Sequence, residues 1–196
     1  MSMVEKHKPA RRRLSADQSR TLILEAAERV LLTQGYPALS IRRVATEAGM
    51  KTPLIHYHFE TTEDLLIALY RHVGEKHRRN IQAALASDRP LHALWDVNTG
   101  GDSGRLIAEM VGLGHRNEAV RAELAAHVEE FRAMQARAFD TALRARPATA
   151  GCTPEAAIFI LTAVTSALVM DRGVGITAGH DDSIAFVKAC IDRLEP

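Results

Sequence analysis

Basic, hydroxyl and imidazole side chains are concentrated between residues 40 and 62 of this 196-residue chain. Arg42 and Arg43 are adjacent, and Lys51, His56 and His58 follow shortly after them. Such side chains bind phosphate, and an arginine can also make a bidentate contact with the edge of a guanine. Two adjacent charges are more often only a solvated helix face, so the elements that carry them must decide between these interpretations.

The two histidines also raise the question of a metal site. His56 and His58 are two positions apart, and side chains at that spacing point in different directions from a helix. No acidic residue is arranged with them, and Cys152 and Cys190 lack the spacing of a thiolate site. We therefore predict no metal and no other cofactor. The sequence also lacks a glycine-rich phosphate loop, a GxSxG elbow and an HExxH helix, so we do not expect an enzyme.

The segment around these residues has the pattern of a helix-turn-helix. Ser40 can cap a short helix that ends at Gly49, the residue type that most readily adopts the left-handed conformation of a sharp turn. Thr52 can cap the next helix, with Pro53 at its first position. Ala45 is small where the two helices must touch. A helix-turn-helix places its second helix in the major groove of DNA, with the N-terminal turn toward the bases.

This arrangement assigns provisional roles to the polar side chains. Lys51 and Thr52 lie at the start of the recognition helix, and His56 lies one turn further on. Arg42 and Arg43 project from the preceding helix toward the phosphate backbone or the base edges. The residues alone do not decide which arginine contacts a base.

Apolar residues recur at spacings of three and four along nearly the whole chain, and no sustained period-two run of β-branched residues is present. We therefore expect an all-α fold of about nine helices. Ser15 and Gln18 form a capping-box pattern before the first helix, and Thr61 with Asp64 begins a fourth helix that extends to about Leu85. The first helix is expected to bury Leu22, Ile23, Ala26, Ala27, Val30 and Leu31.

These elements divide the chain into a basic arm over residues 1–14, a three-helix DNA-binding domain over 15–60 and a larger helical domain over 61–196, with the helix over 61–85 connecting the two. Residues 1–60 hold ten Lys or Arg and six Asp or Glu, a net charge of +4, whereas the rest holds fifteen against eighteen. The N-terminal third is therefore the part suited to a polyanion. No apolar segment follows the basic N-terminal residues, so we expect a cytoplasmic protein.

Several of these elements together resemble the N-terminal part of the TetR family of transcriptional regulators. The resemblance covers about residues 19–70 and rests on Ile23-Leu24-x-Ala26-Ala27, Gly35, the block from Ile41 to Gly49, Ile55-His56-Tyr57-His58-Phe59 and Glu63-Asp64-Leu65-Leu66. It implies that Tyr57 and His58 contact phosphates and that Phe59 packs beneath the helix. With the pattern above, the predicted DNA-binding residues are Ser40, Arg42, Arg43, Lys51, Thr52, Pro53, Leu54, His56, Tyr57, His58 and Thr62.

One position departs from the family pattern. Many relatives have a lysine at the start of the fourth helix, where this chain has Thr62, so a phosphate contact there would be uncharged and weaker. The basic arm, with Lys6, Lys8 and Arg11 to Arg13, can compensate by following the DNA backbone or the minor groove. It can equally be a solubilising tail, and the sequence does not choose between the two.

The segment from Pro154 to Arg172 is apolar on nearly every side, so a helix there must be covered on two faces. Its nearly charge-free stretch, Ala156 to Met170, is short for a bilayer span, and we expect a buried helix and no membrane partner. The resemblance implies that this helix and the last one form the four-helix interface of a homodimer, which predicts a near-palindromic DNA operator. The predicted interface residues are Ile158, Leu161, Thr165, Leu168, Ile184, Val187 and Ile191.

The resemblance also implies a pocket for a small-molecule effector between the DNA-binding domain and the dimer helices. The candidates are mostly apolar, which suits a small hydrophobic ligand, although His127 can instead be a hydrogen-bonded core histidine. The predicted lining residues are Trp95, Met110, His127, Phe131 and Met134. We therefore expect a regulator, in this family most commonly a repressor, that an effector releases from DNA. The alternatives are an architectural DNA-binding protein without an effector and, from another class, a helical enzyme with a helix-turn-helix-like pair.

Overall fold

The computed structural model describes residues 14–100, 103–146 and 151–196. In these ranges the chain forms nine α-helices and one short 3-10 turn, with no strand, so the prediction of an all-α fold is confirmed. The predicted basic arm lies outside the described residues except for Leu14. The helices are α1 (Ala16–Gln34), α2 (Ile41–Ala48), α3 (Thr52–His58), α4 (Thr62–Leu85), α5 (Pro90–Thr99), α6 (Ser103–Gly114), α7 (Glu118–Ala145), α8 (Pro154–Gly173) and α9 (His180–Leu194).

Local side chains fix where several helices begin. The hydroxyl of Ser15 accepts from the backbone N–H of Gln18 at 3.1 Å, and the Gln18 side chain accepts from the Ser15 N–H at 3.0 Å. The predicted capping box at Ser15 is confirmed, and Thr61 and Asp64 form the same reciprocal pair at the predicted start of α4. The prediction for α3 is wrong by one residue: Lys51 occupies the N-cap position without a side-chain bond, and Thr52 is the first helical residue.

The first core packs α1, α2 and α3 against the N-terminal half of α4. Ile23, Ile55 and Leu69 are fully buried in it. Met110 and Val120, from α6 and α7, belong to the same cluster, so the core beneath the two short helices extends well beyond residue 60. Leu22 does not join it: this side chain is 40% exposed because it lies beside the buried stripe of α1 rather than within it.

Ion pairs hold α4 against its neighbours along its length. The Lys76 ammonium lies 2.6 Å from the Glu28 carboxylate on α1. Arg71 donates two hydrogen bonds of 2.8 Å to Glu123 on α7, and this contact lowers the pKa of the Glu123 carboxyl despite the opposing effect of its burial. These pairs connect α4 to α1 on one side and to α7 on the other.

The second core lies between α5, α7, α8 and α9, and it corrects the predicted dimer interface. Ile158, Leu161, Thr165 and Leu168 are between 1% and 4% exposed within a single chain. Side chains buried this completely cannot contact a second subunit, because the same face of α8 already covers α5 and α7. On α9, Ile191 is in this core as well, with Ile184 and Val187 half-buried against it.

The end of α9 is tied to the start of α5. The Glu195 carboxylate accepts hydrogen bonds from the backbone N–H groups of Leu91 and His92 at 3.1 and 3.0 Å. Such N–H groups at a helix start have no partner within their own helix, and a carboxylate there also meets the positive end of the helix dipole. The His92 ring bridges Glu195 and Asp192 at 2.8 and 2.7 Å, which fixes α9 on the bundle.

Candidate nucleic-acid interface

A sharp turn at Gly49 separates the two short helices. Gly49 has φ 63° and ψ 29°, the left-handed conformation that a side chain would strain. Its N–H bonds to the Thr46 carbonyl at 3.2 Å, and the N–H of Met50 bonds to the Ala45 carbonyl at 2.9 Å. These two bonds complete the end of α2, and the chain leaves in a new direction toward α3.

The helix α3 has one buried side and one exposed side. Ile55 is fully buried and Phe59, which follows α3, is 3% exposed. The guanidinium of Arg20 lies 5.2 Å from the centre of the Phe59 ring and closes this contact from α1. The opposite side carries side chains that are free to meet a partner: Lys51, Pro53, Leu54, His56 and Tyr57, the last of which is 74% exposed.

The two adjacent arginines differ in what they already contact. Arg43 donates to the Gln34 side chain at 3.0 Å and pairs with Glu47 at 3.5 Å, while Glu47 also pairs with Arg29 at 3.1 Å. Arg42 is exposed, and its guanidinium forms no ion pair or hydrogen bond with any residue that the structure describes. Arg42 can therefore reach a phosphate or base without giving up an existing bond, whereas Arg43 cannot.

The remaining predicted residues lie at the edges of this surface. His58 is half-buried, its ring edge lies against Tyr57 with centres 5.0 Å apart, and its Nε2 is buried without a partner. Ser40 caps α2, and its hydroxyl accepts from the Arg43 N–H at 3.2 Å. Thr62 is half-buried in the first turn of α4, which also carries two acidic residues. Phosphate at Thr62 would therefore meet nearby negative charge.

Net charge does not by itself make the described part of this surface attractive to DNA. Residues 14–60 contain five basic and five acidic residues, so their formal charge is zero. Residues 1–13 contain five basic residues and one acidic residue. The excess of positive charge in the N-terminal third therefore lies entirely in the segment before α1.

Comparison with known proteins agrees with this geometry. A family model described as bacterial regulatory proteins, tetR family, matches residues 23–69, and the HTH-type transcriptional activator FasR of Mycolicibacterium smegmatis is 37% identical over 62 residues. A TetR transcription regulator from Haloarcula marismortui matches 92% of this chain and 100% of its own, with a TM-score of 0.76 and 20% identity. These matches show a TetR-type segment over residues 23–69 and the fold of the Haloarcula marismortui structure over most of the chain. The matched part is 31% of this chain and only 28% of FasR.

Ligand complexes are known among structures of similar fold. The multidrug binding protein EbrR, crystallised with imidazole, is 26% identical to this chain. The match covers 90% of this chain and 94% of EbrR, with a TM-score of 0.58.

The chain has a cavity of about 320 Å³ between α4, α5, α6, α7 and α8. Of the five side chains predicted to line a pocket, Phe131 alone is among the residues that line this cavity. Trp95 is in the second core and Met110 in the first, where each is at most 4% exposed. Met134 packs against a small cluster formed by Ile81, Ala84 and Leu94. Trp95, Met110 and Met134 lie on helices that line this cavity, but their side chains pack into the cores.

His127 is a core histidine, the alternative that the sequence left open. Its Nδ1 lies 2.9 Å from the Glu123 carbonyl, and its ring packs edge-on against Tyr70 with centres 4.8 Å apart. Burial, with the nearby Glu123 charge, raises the pKa of Tyr70. A Cβ at Gly74 would lie 2.8 Å from His127 Cδ2, so α4 can approach this ring only because residue 74 has no side chain.

An apolar face formed by α8 and α9 lies opposite the second core. Phe159, Ile160, Met170 and Phe186 are between 54% and 69% exposed. The helix α8 is long and apolar enough to cross a membrane by length and composition alone, and only 22% of its most apolar window is buried. Within the single chain α8 is therefore covered on one face only, and its cover by a second subunit stays a prediction. We call Phe159, Ile160, Met170 and Phe186 the exposed apolar face.

Within the described residues, no group of three or more His, Cys, Asp or Glu side chains is arranged to hold a metal ion. His56 and His58 lie on α3 but differ in burial, the first exposed and the second half-buried. Cys152 and Cys190 are both free thiols.

Proposed function

We propose that the chain is a sequence-specific, DNA-binding regulator of transcription in the cytoplasm. The observation that carries this proposal is α3, which is held from below by Ile55 and Phe59 and has exposed polar side chains at Lys51, His56 and Tyr57 on its other side. A helix supported in this way can enter the major groove without unfolding any part of the core.

Each predicted DNA-binding side chain has a role in the proposed complex. Lys51 and Thr52 approach the DNA at the first turn, and His56 and Arg42 contact base edges or phosphates. Tyr57 and His58 contact the phosphate backbone, and Pro53 and Leu54 pack against the groove. Arg43 acts mainly by holding α2 in place through Gln34 and Glu47. Ser40 and Thr62 contribute at most uncharged contacts, from hydroxyl or backbone N–H.

The active species in this proposal is a homodimer in which the exposed apolar face of one chain packs against that of a second chain. An isologous contact of this kind covers large apolar side chains that are costly to leave in water. It also sets two copies of α3 about 34–36 Å apart, one turn of DNA, so the preferred operator is a near-palindrome.

A small molecule in the cavity of about 320 Å³ is the proposed effector. The cavity lies beside α4, and α4 also packs beneath the DNA-binding helices, so a ligand that changes the position of α4 changes the spacing of the two copies of α3. We propose repression relieved by the effector as the mode of action. FasR is described as an activator, which makes activation the second candidate.

The decisive experiment is selection of bound duplexes from a random pool with the purified full chain at moderate salt. The proposal requires enrichment of one near-palindromic motif, and the Arg42→Ala and His56→Ala variants should lose discrimination at particular positions of that motif. Uniform weakening would assign those side chains to phosphates. Recovery of no preferred motif would refute the proposal. A reporter gene placed behind the motif then separates repression from activation.

A further inference from the structure

The cavity between α4 and α8 has an unbalanced charge. Arg132, on α7, is the only charged residue among the described residues that line it, and no described carboxylate lines it. The rest of the lining consists of aliphatic side chains from α5 to α8, one aromatic ring, and amide, hydroxyl and imidazole groups. A guanidinium stays protonated under all ordinary conditions, so this wall carries a permanent positive charge.

Several of the other polar groups in the lining already have partners. The Gln135 side chain, 1% exposed, accepts from Asn98 Nδ2 at 2.6 Å and donates to the Phe131 carbonyl at 3.2 Å. The Thr162 and Thr165 hydroxyls donate to backbone carbonyls one turn earlier on α8. Burial lowers the pKa of His77, which keeps its imidazole neutral. None of these groups neutralises Arg132.

The Arg132 side chain lacks a hydrogen-bond acceptor for one of its buried N–H groups. Its Nε is buried and has no hydrogen-bond partner. Its guanidinium lies 5.0 Å from the centre of the Phe159 ring, and Arg132 and Phe159 also line a neighbouring cavity that contains Glu129, Asp140 and Glu155. No described carboxylate lies within ion-pair distance of it. By contrast, Arg78 on α4 is paired with both Glu75 and Glu130. A buried hydrogen-bond donor without an acceptor raises the free energy of the folded state, and a charged donor raises it more. A ligand that supplies the acceptor removes this cost.

We propose that the cavity binds a small organic acid. Its carboxylate accepts hydrogen bonds from the Arg132 guanidinium, and its hydrocarbon part lies against Val97, Val111 and Val128. A volume of about 320 Å³ is at the lower end of the range for small-molecule sites, which limits the ligand to an acid of about the size of phenylacetate. This inference rests on the proposed function, because it specifies the chemical class of the proposed effector.

The test is binding of two matched series of three compounds to the full chain: phenylacetate, phenylacetamide and 2-phenylethylamine, and then hexanoate, hexanamide and hexylamine. Each series keeps the hydrocarbon part and changes the head group from an anionic carboxylate to a neutral amide and to a cationic amine. Calorimetry should show the acid binding at least about tenfold more tightly than the amide, with the amine weakest. Equal affinity for acid and amide, or no binding of either acid at millimolar concentration, would overturn the proposal.

Variants on the same helix connect this preference to Arg132. Arg132→Gln should lower acid affinity by about tenfold or more and leave amide affinity unchanged, while Arg132→Lys should retain part of the preference. Arg137→Gln removes an exposed arginine of α7 that does not line this cavity, so it should change neither affinity. Acid binding that survives Arg132→Gln unchanged would also overturn the proposal.

DNA selection by the ligand-free chain separates this inference from the proposed function. A clear operator motif without any preference for acids would support the proposed regulator and contradict only the proposed ligand class. Failure to select any motif would contradict the proposed regulator itself.

Discussion

Two neighbouring arginines show how existing contacts limit what a residue can do. Arg42 and Arg43 are equivalent in the sequence, but Arg43 is held by Gln34 and Glu47, which lie at the end of α1 and on α2. The sequence could locate the arginine pair, because the helix-turn-helix pattern is local. It could not choose between its members, because the contact with Gln34 depends on how α1 packs against α2.

Separate alanine substitutions of these arginines should therefore have different effects. Arg42→Ala is expected to leave the free energy of unfolding unchanged and to weaken operator binding by about 1–3 kcal/mol if the side chain contacts a base. Arg43→Ala should lower stability by up to about 1 kcal/mol, because it removes a hydrogen bond and a partly exposed ion pair. Urea unfolding and fluorescence anisotropy with operator DNA measure both effects. A greater loss of stability in Arg42→Ala would contradict the assignment.

The half-buried His77 should make stability depend on pH. Burial lowers the pKa of His77 below the ordinary value of about 6.5, which His77 regains in the unfolded chain. The unfolded chain therefore binds the proton more readily, and the contribution of His77 to stability is present above about pH 6.5 and is lost as pH falls below it.

The His77→Gln variant tests this dependence. Its free energy of unfolding should decrease less between about pH 7.5 and about pH 5.5 than that of the unmodified chain. His115→Gln, which changes an exposed histidine, is the control and should keep the full decrease. Some pH dependence will persist, because the pKa of His72 is also lowered, by burial first and then by Lys76. Identical pH curves for His77→Gln and the unmodified chain would contradict the prediction.

At the scale of the helix, the sequence predicts where several helices begin, but it predicts only some of the faces that they bury. Ser15 with Gln18 and Thr61 with Asp64 are only three residues apart, so the sequence contains both partners of each capping box. The helix α8 is different. Ile158 and Phe159 are equally apolar, yet one is 1% and the other 55% exposed, because α7 lies on only one side of the helix. No local pattern distinguishes the two faces of such a helix.

The approach of α4 to α7 depends on one glycine. In Gly74→Ala the new Cβ would lie 2.8 Å from His127 Cδ2, so the ring or the helix must move. We expect a loss of about 1–3 kcal/mol in the free energy of unfolding, measured with urea. Gly112→Ala is the matched control, because nothing lies within 4 Å of its added Cβ, and it should gain up to about 1 kcal/mol from helix propensity.

A double variant identifies the cause of that loss. If the clash with His127 is responsible, Gly74→Ala should be much less destabilising when combined with His127→Ala, which removes the ring. Equal costs of Gly74→Ala in the two backgrounds would mean that the glycine acts through something other than this contact.

At the scale of the whole molecule, the distribution of charge predicts how DNA binding responds to salt. The excess positive charge of the N-terminal third lies in residues 1–13, while residues 14–60 are balanced. Replacing Lys6, Lys8, Arg11, Arg12 and Arg13 by glutamine should therefore reduce the slope of log affinity against log salt by about 0.9 for each phosphate that the arm no longer neutralises. Anisotropy titrations across a range of salt concentrations measure this slope. An unchanged slope would favour the alternative of a solubilising tail.

The exposed apolar face predicts the oligomeric state of the chain. Its side chains are outside both cores, and only a second chain is proposed to cover them. Phe186 is 69% exposed, so Phe186→Glu should leave the fold of the single chain intact while placing a charge in the proposed interface. Sedimentation should show a dimer for the unmodified chain and a monomer for this variant, and operator affinity should fall because a monomer can occupy only one half-site. Leu22→Glu, at an exposed leucine of α1, should remain a dimer. A dimer that persists in Phe186→Glu would place the interface elsewhere, whereas an unmodified chain that is monomeric at micromolar concentration would leave α8 without a protein partner for its apolar side.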